Sequence, residues 1–463
     1  MKDHLTIVGS MTGNSLDGAD AVLTRIYRDG RIEDVAGFSL PAPPTQYNQL
    51  KDLRDFINQP ENKGNMTRVA RTYPAFDQVL DAYTEFVAQS VRGVIDKAGV
   101  PLHEVDLIGF HGQTCAHLPP SQASNTKPYT VQLGDGKKLA QLTGLPVAFD
   151  FRSDDLLNGG EGAPLAPMHN KHIAESLGFP MTFINGGNTS NVAHIAQDRV
   201  IGWDAGPFNH FPDMLTRKYF NQPCDTEGAI GRTGHIHLPL LTQLFKDGAV
   251  IASGGNFLDA PPPKSSDPKW YKTVPLLDDA SILPADKVRT AEYYAAYLTF
   301  HTLGHTPADF PLPSRFAVFG GGWRNPVVME DFTQLAKGTA PVVLPEHAQR
   351  FAHIRSRMSA SPDIKFSQDY GFDGTMMEAR IFADLARCRI IGRPFTTAQT
   401  TGVKQPVVCG VMAYPDSPIF ANLEEWIAAS GTRPPVSSAR WSRASAGDWG
   451  RPNPSSGAAK LGL

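Results

Sequence analysis

Two stretches of this chain repeat one design. Leu5–Ile26 reads LTIVGSMTGNSLDGADAVLTRI, and Met181–Ile195 reads MTFINGGNTSNVAHI. Each is an apolar run, a bend of glycines with hydroxyl and amide residues, and a second apolar run. That pattern marks two strands joined by a turn. Its return in the second half predicts two related domains, each opening with a hairpin whose tip points into a shared cleft. A length of 463 residues suits that division. A third glycine stretch, RFAVFGGGWRN (Arg315–Asn325), follows a strand and precedes an apolar, helix-like run.

The intervening segments alternate. Ala70–Ala98 has the apolar spacing of one long helix, ending near Gly99 and Pro101. Asp106–Thr114 (DLIGFHGQT) reads as a buried strand with a polar tip, and YTVQLGDGKKLAQLTGLPVAFDFRSDD reads as strand, helix, strand and polar loop. Such alternation predicts α/β sheets. The expected division is 1–178, 179–415 and a C-terminal extension over 416–463. Asn256–Lys272 reads as irregular. The tail from about Gly431, rich in Ser, Gly, Pro and Arg, is expected to be disordered.

Composition removes several classes. A formal net charge of −3 argues against a nucleic-acid partner. No apolar run approaches the roughly 18 residues that span a bilayer, so no membrane partner is expected. The N-terminal MKDHLTIVGSM does not read as a signal peptide. Cys115, Cys224, Cys388 and Cys409 are scattered without a CxxC pair, which fits free thiols in the cytoplasm.

Each chemical motif has a plain and a functional reading. The first bend is a hairpin turn, or a cradle in which Gly9, Ser10, Met11, Thr12, Gly13, Asn14 and Ser15 approach a polyphosphate and Asp17 holds a metal. Its spacing is not that of a Walker loop. Gly186, Gly187 and Asn188 form a second such bend. Gly320, Gly321, Gly322 and Asn325 form a turn suited to the adenosine end of a nucleotide. Asp204, in IGWDAGPFN, caps the next helix or acts as a general base. His111, Gln113, Thr114 and Arg152 bond within loops or hold sugar hydroxyls and an anion. Glu378 is a solvated helix residue or, set in an apolar run, a metal or substrate ligand.

From about Leu5 to Pro415 these stretches resemble, in order, the anhydro-N-acetylmuramic acid kinases. GSMTGNSLDGADAVL is similar to that family's GTMSGTSLDGVDAAL. FHGQT, DFRSDDLLNGGEGAPLAP, GWDAGPFN, PPPKSSDPKWY, GGGWRNPVVM and TGVKQPVVCGVMAYP likewise have family counterparts. The resemblance implies a two-domain actin-like ATPase (ribonuclease H-like) fold with ATP and Mg2+ in the cleft between the domains. It also implies a reaction in which water opens the 1,6-anhydro bridge as the γ-phosphate moves onto O6. Asp204 then activates the water, Asp17 and Glu378 lie by the metal, and His111, Gln113, Thr114, Arg152 and Asn209 contact the sugar. The resemblance further implies a small-molecule anhydro sugar as partner, a place in cell-wall sugar recycling, and a homodimer. The chain departs from the family at Asn14 in the first hairpin, at Glu161 near the sugar loop, at Phe208 beside the proposed base and at Asp267-Pro268. These departures leave open another 1,6-anhydro sugar such as levoglucosan; a separate alternative, against which the intact Asp17, Asp204 and Glu378 speak, is a non-catalytic ATP-binding regulator.

Overall fold

A computed structural model describes residues 2–13, 15–62, 70–123, 127–251, 255–262, 264, 266, 270–312, 315–358, 361–416, 420–431 and 434–436. The chain forms two compact units. One runs to Ser176 and resumes at Met376; the other is Leu177–Thr375.

The first unit opens with an antiparallel meander, β1 (His4–Thr12), β2 (Gly18–Tyr27) and β3 (Ile32–Pro41), followed by helix α1 (Pro44–Ile57). Helix α2 (Phe76–Ala98) buries Val79, Leu80, Tyr83, Val87, Val91 and Val94. That three-and-four spacing is one helical stripe, and Gly99, at φ 64°, ends the helix. The sequence-based helix began at Ala70; the helix begins at Phe76. Then come β4 (Leu107–Phe110), the β5–β6 ribbon (Gln113–Leu118, Tyr129–Leu133), α3 (Gly136–Thr143) and β7 (Val147–Phe149). The stretch read as a polar loop after β7 is instead helical, α4 (Phe151–Leu157), and α5 (Ala166–Leu177) follows.

The second unit repeats the plan. A meander, β8 (Met181–Gly186), β9 (Thr189–Ile195) and β10 (Val200–Pro207), precedes α6 (His210–Phe220), α7 (Leu238–Asp247) and α8 (Pro284–Thr302). Then follow β11 (Arg315–Phe319), α9 (Pro326–Lys337), α10 (Ala348–Arg357) and β12 (Asp363–Phe366). Helix α8 is buried almost all round and gathers Leu240, Leu244, Phe332 and Phe351 into this unit's core. Asn256–Lys272 holds a short 3-10 turn at Phe257–Asp259 and two isolated bridges among its described residues.

The chain then returns to the first unit as α11 (Met377–Ile391), β13 (Val411–Ala413) and α12 (Ala421–Ser430). The second division expected from sequence, near 415, therefore moves back to 376. The physical cause is the join between α11 and the first sheet. A Cβ on Gly9 would lie 2.1 Å from the Ala379 carbonyl oxygen, and one on Gly109 1.9 Å from that of Phe382. Val8, next to Gly9 and so on the opposite face, packs with the α2 stripe. The extension expected to be largely disordered contains α12, which ends at Ser430 just before the Gly431 tail, with Leu423 and Trp426 buried; residues 437–463 lie outside the described residues.

The two sheets correspond strand for strand. The first runs β13-β7-β4-β1-β2-β3 and the second β10-β9-β8-β11-β12. Each meander has its first strand innermost, with parallel strands added beside it: β4 pairs parallel to β1 and β11 parallel to β8. Among the described strands of these two sheets β13, antiparallel to β7, is the one without a counterpart.

Candidate active site

The first hairpin is tighter than its sequence suggested. Gly9, Ser10, Met11 and Thr12 all belong to β1. Gly9 serves the α11 contact, and the Thr12 hydroxyl turns inward to the Tyr83 hydroxyl at 2.8 Å. The turn itself runs from Gly13 to Asp17, with Leu16 at φ 61° and its N–H on the Gly13 carbonyl. Asn14 lies outside the described residues. Ser15 donates to the exposed Asp17 carboxylate at 2.6 Å.

Polar groups gather at the carboxyl ends of β1 and β4. The His111 N–H bonds to the Ser10 carbonyl. The His111 Nε2 accepts from the Arg152 guanidinium at 3.1 Å, so Nδ1 carries the proton, and Nδ1 is buried with no partner. Burial, then Arg152, hold this imidazole well below its usual range, so it is neutral. The Ser10 hydroxyl and the Gln113 Oε1 are also buried and unpartnered. Buried polar atoms of a folded protein are nearly always bonded, so three orphans in adjoining segments fit a ligand that supplies the partners. Thr114 accepts weakly from Gln132 at 3.3 Å. Arg152 also donates to the Gly162 carbonyl, which fixes its plane, and burial lowers it to about 10.

Glu378 is the second residue of α11 and faces solvent, where the sequence suggested an inward side chain. Crowding by neighbouring protein atoms nevertheless strips part of its hydration. That crowding and, second, the Asp20 carboxylate push its carboxyl up, while Arg152 pulls it down. The Glu378 partner carboxylate is thus Asp20 on β2, which sequence reasoning missed although it stands in the same SLDGAD stretch. Paired oxygen donors of like charge suit a hard divalent cation. Glu161, a departure near the sugar loop, is occupied by the backbone N–H and hydroxyl of Ser121, at 3.2 and 2.6 Å.

In the second unit the hairpin tip is pinned by the chain that follows β10. Phe208 N–H bonds to the Asn188 carbonyl and Asn209 N–H to the Gly187 carbonyl. The Phe208 ring is buried, 4.9 Å from that of Trp323. There it fills the space that side chains on Gly186 and Gly322 would need.

Asp204 lies within β10, beside a bulge, and caps no helix; Asn209 starts α6. Its N–H bonds to the Lys264 carbonyl. Its Oδ2 accepts from the Ser266 N–H at 2.7 Å and the Ser266 hydroxyl at 3.1 Å. That hydroxyl is 2.7 Å from the Tyr271 hydroxyl, itself 2.7 Å from the Thr189 hydroxyl. Each hydroxyl has one proton, so the chain is directed: Thr189 donates to Tyr271, Tyr271 to Ser266, and Ser266 to Asp204. It ties Asp204 to the first residue of β9, next to the hairpin tip. Ser266 and Tyr271 were not singled out from sequence, although PPPKSSDPKWY contains both. Asp267 and Pro268 lie outside the described residues.

The GGG turn follows β11. Gly320 takes φ 94°, where a Cβ would meet the Asn185 side chain at 2.5 Å; Gly321 has open space. Asn325 caps α9 through the Val327 N–H and donates to Glu292 on α8 at 2.7 Å. Burial, then the Asp225 carboxylate, push Glu292 up to about 9. A cavity of about 550 Å³ lies beside the turn, lined by Arg324, Pro326, Met329, Thr333 and Phe366 among others. That volume is in the range of small-molecule pockets.

Two units with one strand plan, each with a glycine-tipped hairpin, define an α/β protein of the actin-like class. The sequence profile described as anhydro-N-acetylmuramic acid kinase matches residues 5–344. A Rhizobium etli protein named anhydro-N-acetylmuramic acid kinase is 31% identical over 414 residues, 89% of this chain and 99% of that protein. One of the same name from Brucella canis is 30% identical, covering 90% and 100%. The chain belongs to the anhydro-N-acetylmuramic acid kinase family. Among solved structures it is similar to a ROK family glucokinase from Streptomyces griseus, crystallised with glucose and AMPPNP. That likeness has 13% identity and a TM-score of 0.35, covering 82% of this chain and 99% of that one.

Proposed function

We propose that this enzyme uses ATP and Mg2+ to open the 1,6-anhydro ring of 1,6-anhydro-N-acetylmuramic acid with water and to phosphorylate O6. The product is N-acetylmuramic acid 6-phosphate. Family membership across the length of the relatives supports the reaction, and the single observation that best supports the mechanism is the held carboxylate of Asp204. Its Oδ2 is occupied by two donors from Ser266. Donors of this kind stabilise the ionised form, and only the ionised form can accept a proton.

In this reading Asp204 takes a proton from water as the water oxygen bonds to C1. The C1–O6 bond breaks, and its electron pair stays on O6. O6 bonds to the γ-phosphorus as the bond to the β-phosphate oxygen breaks, giving ADP. The protonated Nδ1 of His111 and the Arg152 guanidinium hold sugar oxygens; Gln113, Thr114 and Asn209 complete that set. Gly13, Ser15, Gly187 and Asn188 lie along the phosphates, and the GGG turn with Asn325 takes the adenosine end. Asp17, Glu378 and Asp20 would hold Mg2+; when bound it supplies charge neutralisation on the transferring phosphoryl group. We assign the enzyme to cytoplasmic recycling of cell-wall sugar. The three described buried thiols, Cys115, Cys388 and Cys409, are free, in keeping with a reducing compartment. Among the described residues no helix is long and apolar enough to cross a membrane.

The test is an assay with the anhydro sugar, ATP and Mg2+. ADP and sugar 6-phosphate should form in equal amounts, with levoglucosan a poor competitor. A folded enzyme that makes no sugar phosphate overturns the proposal.

A further inference from the structure

Helices α5 and α11 bury a second cluster of chemically capable side chains that the proposed reaction does not use. His169 and His172, one turn apart on α5, place their Nδ1 atoms 3.0 and 2.6 Å from Oδ2 of Asp384 on α11. Cys388, one turn beyond Asp384, has its Sγ 3.9 Å from the other carboxylate oxygen. None of the four is more than 1% exposed. Ligand atoms of His172, Asp384 and Cys388 all lie within 4.8 Å of one another. The Nε2 atoms of both histidines are buried and have no hydrogen-bond partner among the described residues.

We propose that His172, Asp384 and Cys388, with His169 as fourth ligand, form a structural site for a divalent transition metal of the zinc type. Two nitrogens, one oxygen and one sulfur form a donor set for zinc or cobalt; magnesium and calcium prefer oxygen alone. Ligands at i, i+3 on one helix and i, i+4 on the other share a face on each. Around a tetrahedral ion, ligand atoms about 2.0–2.3 Å from the metal stand roughly 3.3–3.8 Å apart. His169, His172 and Cys388 stand 2.6–3.9 Å from Asp384, and ligand atoms of His172, Asp384 and Cys388 lie within 4.8 Å of one another, so binding draws these three together and His169 has to move further to complete the set.

Charge balances as well. A dication with one thiolate and one carboxylate is neutral. Arg387, with Nη1 3.7 Å from Asp384 Oδ1, faces the oxygen away from the histidines and accompanies the carboxylate in either state. On binding, Cys388 loses its thiol proton to solvent. Each imidazole moves its proton from Nδ1 to Nε2, the atom now without a partner, and no electron is transferred. The ion would cross-link α5 to α11, the helix that joins the returning chain to the first sheet.

The experiment strips metal from the full-length protein with a chelator, then equilibrates it with Co2+ or Zn2+ and removes unbound ion by gel filtration. The expected result is one ion per chain, with a thiolate-to-cobalt charge-transfer band in the near ultraviolet. Cys388→Ser should remove that band and weaken Zn2+ binding about tenfold or more. Its circular dichroism should match that of the wild type. Asp384→Asn should also lose the ion, but Cys388→Ser carries the test because it leaves the hydrogen bonds of Asp384 to both histidines in place. No stoichiometric ion in the wild type, or cobalt held equally by Cys388→Ser without a charge-transfer band, overturns the proposal. The readouts are metal content and spectrum, so they stand apart from kinase turnover.

Discussion

Ser266 donates twice to one oxygen of Asp204, through its N–H at 2.7 Å and its hydroxyl at 3.1 Å. This fixes the carboxylate from one side and links it, through Tyr271, to Thr189 at the second hairpin. Ser266→Ala keeps the N–H and removes the hydroxyl. A hydrogen bond to a charged group contributes about 1.5–3 kcal/mol. Steady-state kinetics should therefore show kcat about tenfold lower or more, with KM for ATP nearly unchanged. Tyr271→Phe should fall between Ser266→Ala and wild type. Wild-type kcat in both variants would remove the relay from the mechanism.

Gly9 and Gly109 are expected to be the least replaceable glycines of the first sheet. A Cβ at either would strike a backbone oxygen of α11, and a backbone cannot swing aside as a side chain can. Gly9→Ala should cost about 3 kcal/mol or more, a Tm loss of roughly 6–12 °C in a unit of this size. Gly321→Ala, with open space around its Cβ, should leave Tm unchanged. Loss of ATP affinity in stable Gly321→Ala would then report close approach of a ligand to the turn. Equal melting of the two variants would contradict the packing account.

The sequence made the repeat legible because hairpins are local: alternation and turn residues mark β1–β2 and β8–β9 without any long-range information. It did not reveal that 377–391 rejoins the first sheet, since nothing local distinguishes a helix that continues a domain from one that returns to an earlier one. The glycines that permit the return, Gly9 and Gly109, read from sequence as loop or strand punctuation. His111 and Arg152 read from sequence as polar residues following strands, and Asp204, which lies within β10, as an acid after an apolar run. Asp20 and Ser266 were not legible, because their roles depend on Glu378 and Asp204, which are distant in sequence. The packing of Phe208 against Trp323 was not legible either, since the two are distant in sequence.

Glu292 sets an expected pH dependence of stability. Its folded-state carboxyl is raised from 4.5 to about 9, first by burial and second by Asp225. Folding therefore takes up a proton wherever the unfolded chain is ionised and the folded one is not. The associated stability is complete below about pH 4.5 and is lost as pH rises toward 9. The slope is at most about 1.4 kcal/mol per pH unit. Denaturant titrations at pH 6, 7 and 8 should show wild type losing stability relative to Glu292→Gln. Parallel curves would place an ionised Glu292 in the folded protein.

Glu378 and Asp20 are expected to govern the metal requirement. Glu378→Gln removes one carboxylate from the pair and relieves the repulsion that raises it. Turnover titrated with Mg2+ should need about tenfold more metal for half-maximal rate in Glu378→Gln or Asp20→Asn. The KM for the sugar should rise instead in His111→Ala, whose ring donor has no protein partner. Unchanged Mg2+ dependence in both carboxylate variants would exclude this pair from the metal.

The most direct measurement compares Asp204→Asn with wild type for sugar 6-phosphate formation, alongside ATP binding by calorimetry. The amide keeps size and shape but cannot accept the proton from water. The expected result is ATP bound with wild-type affinity and turnover reduced by about 10³-fold or more. Asp204→Asn that still phosphorylates the anhydro sugar at a rate near wild type would contradict the assignment of Asp204 as the base.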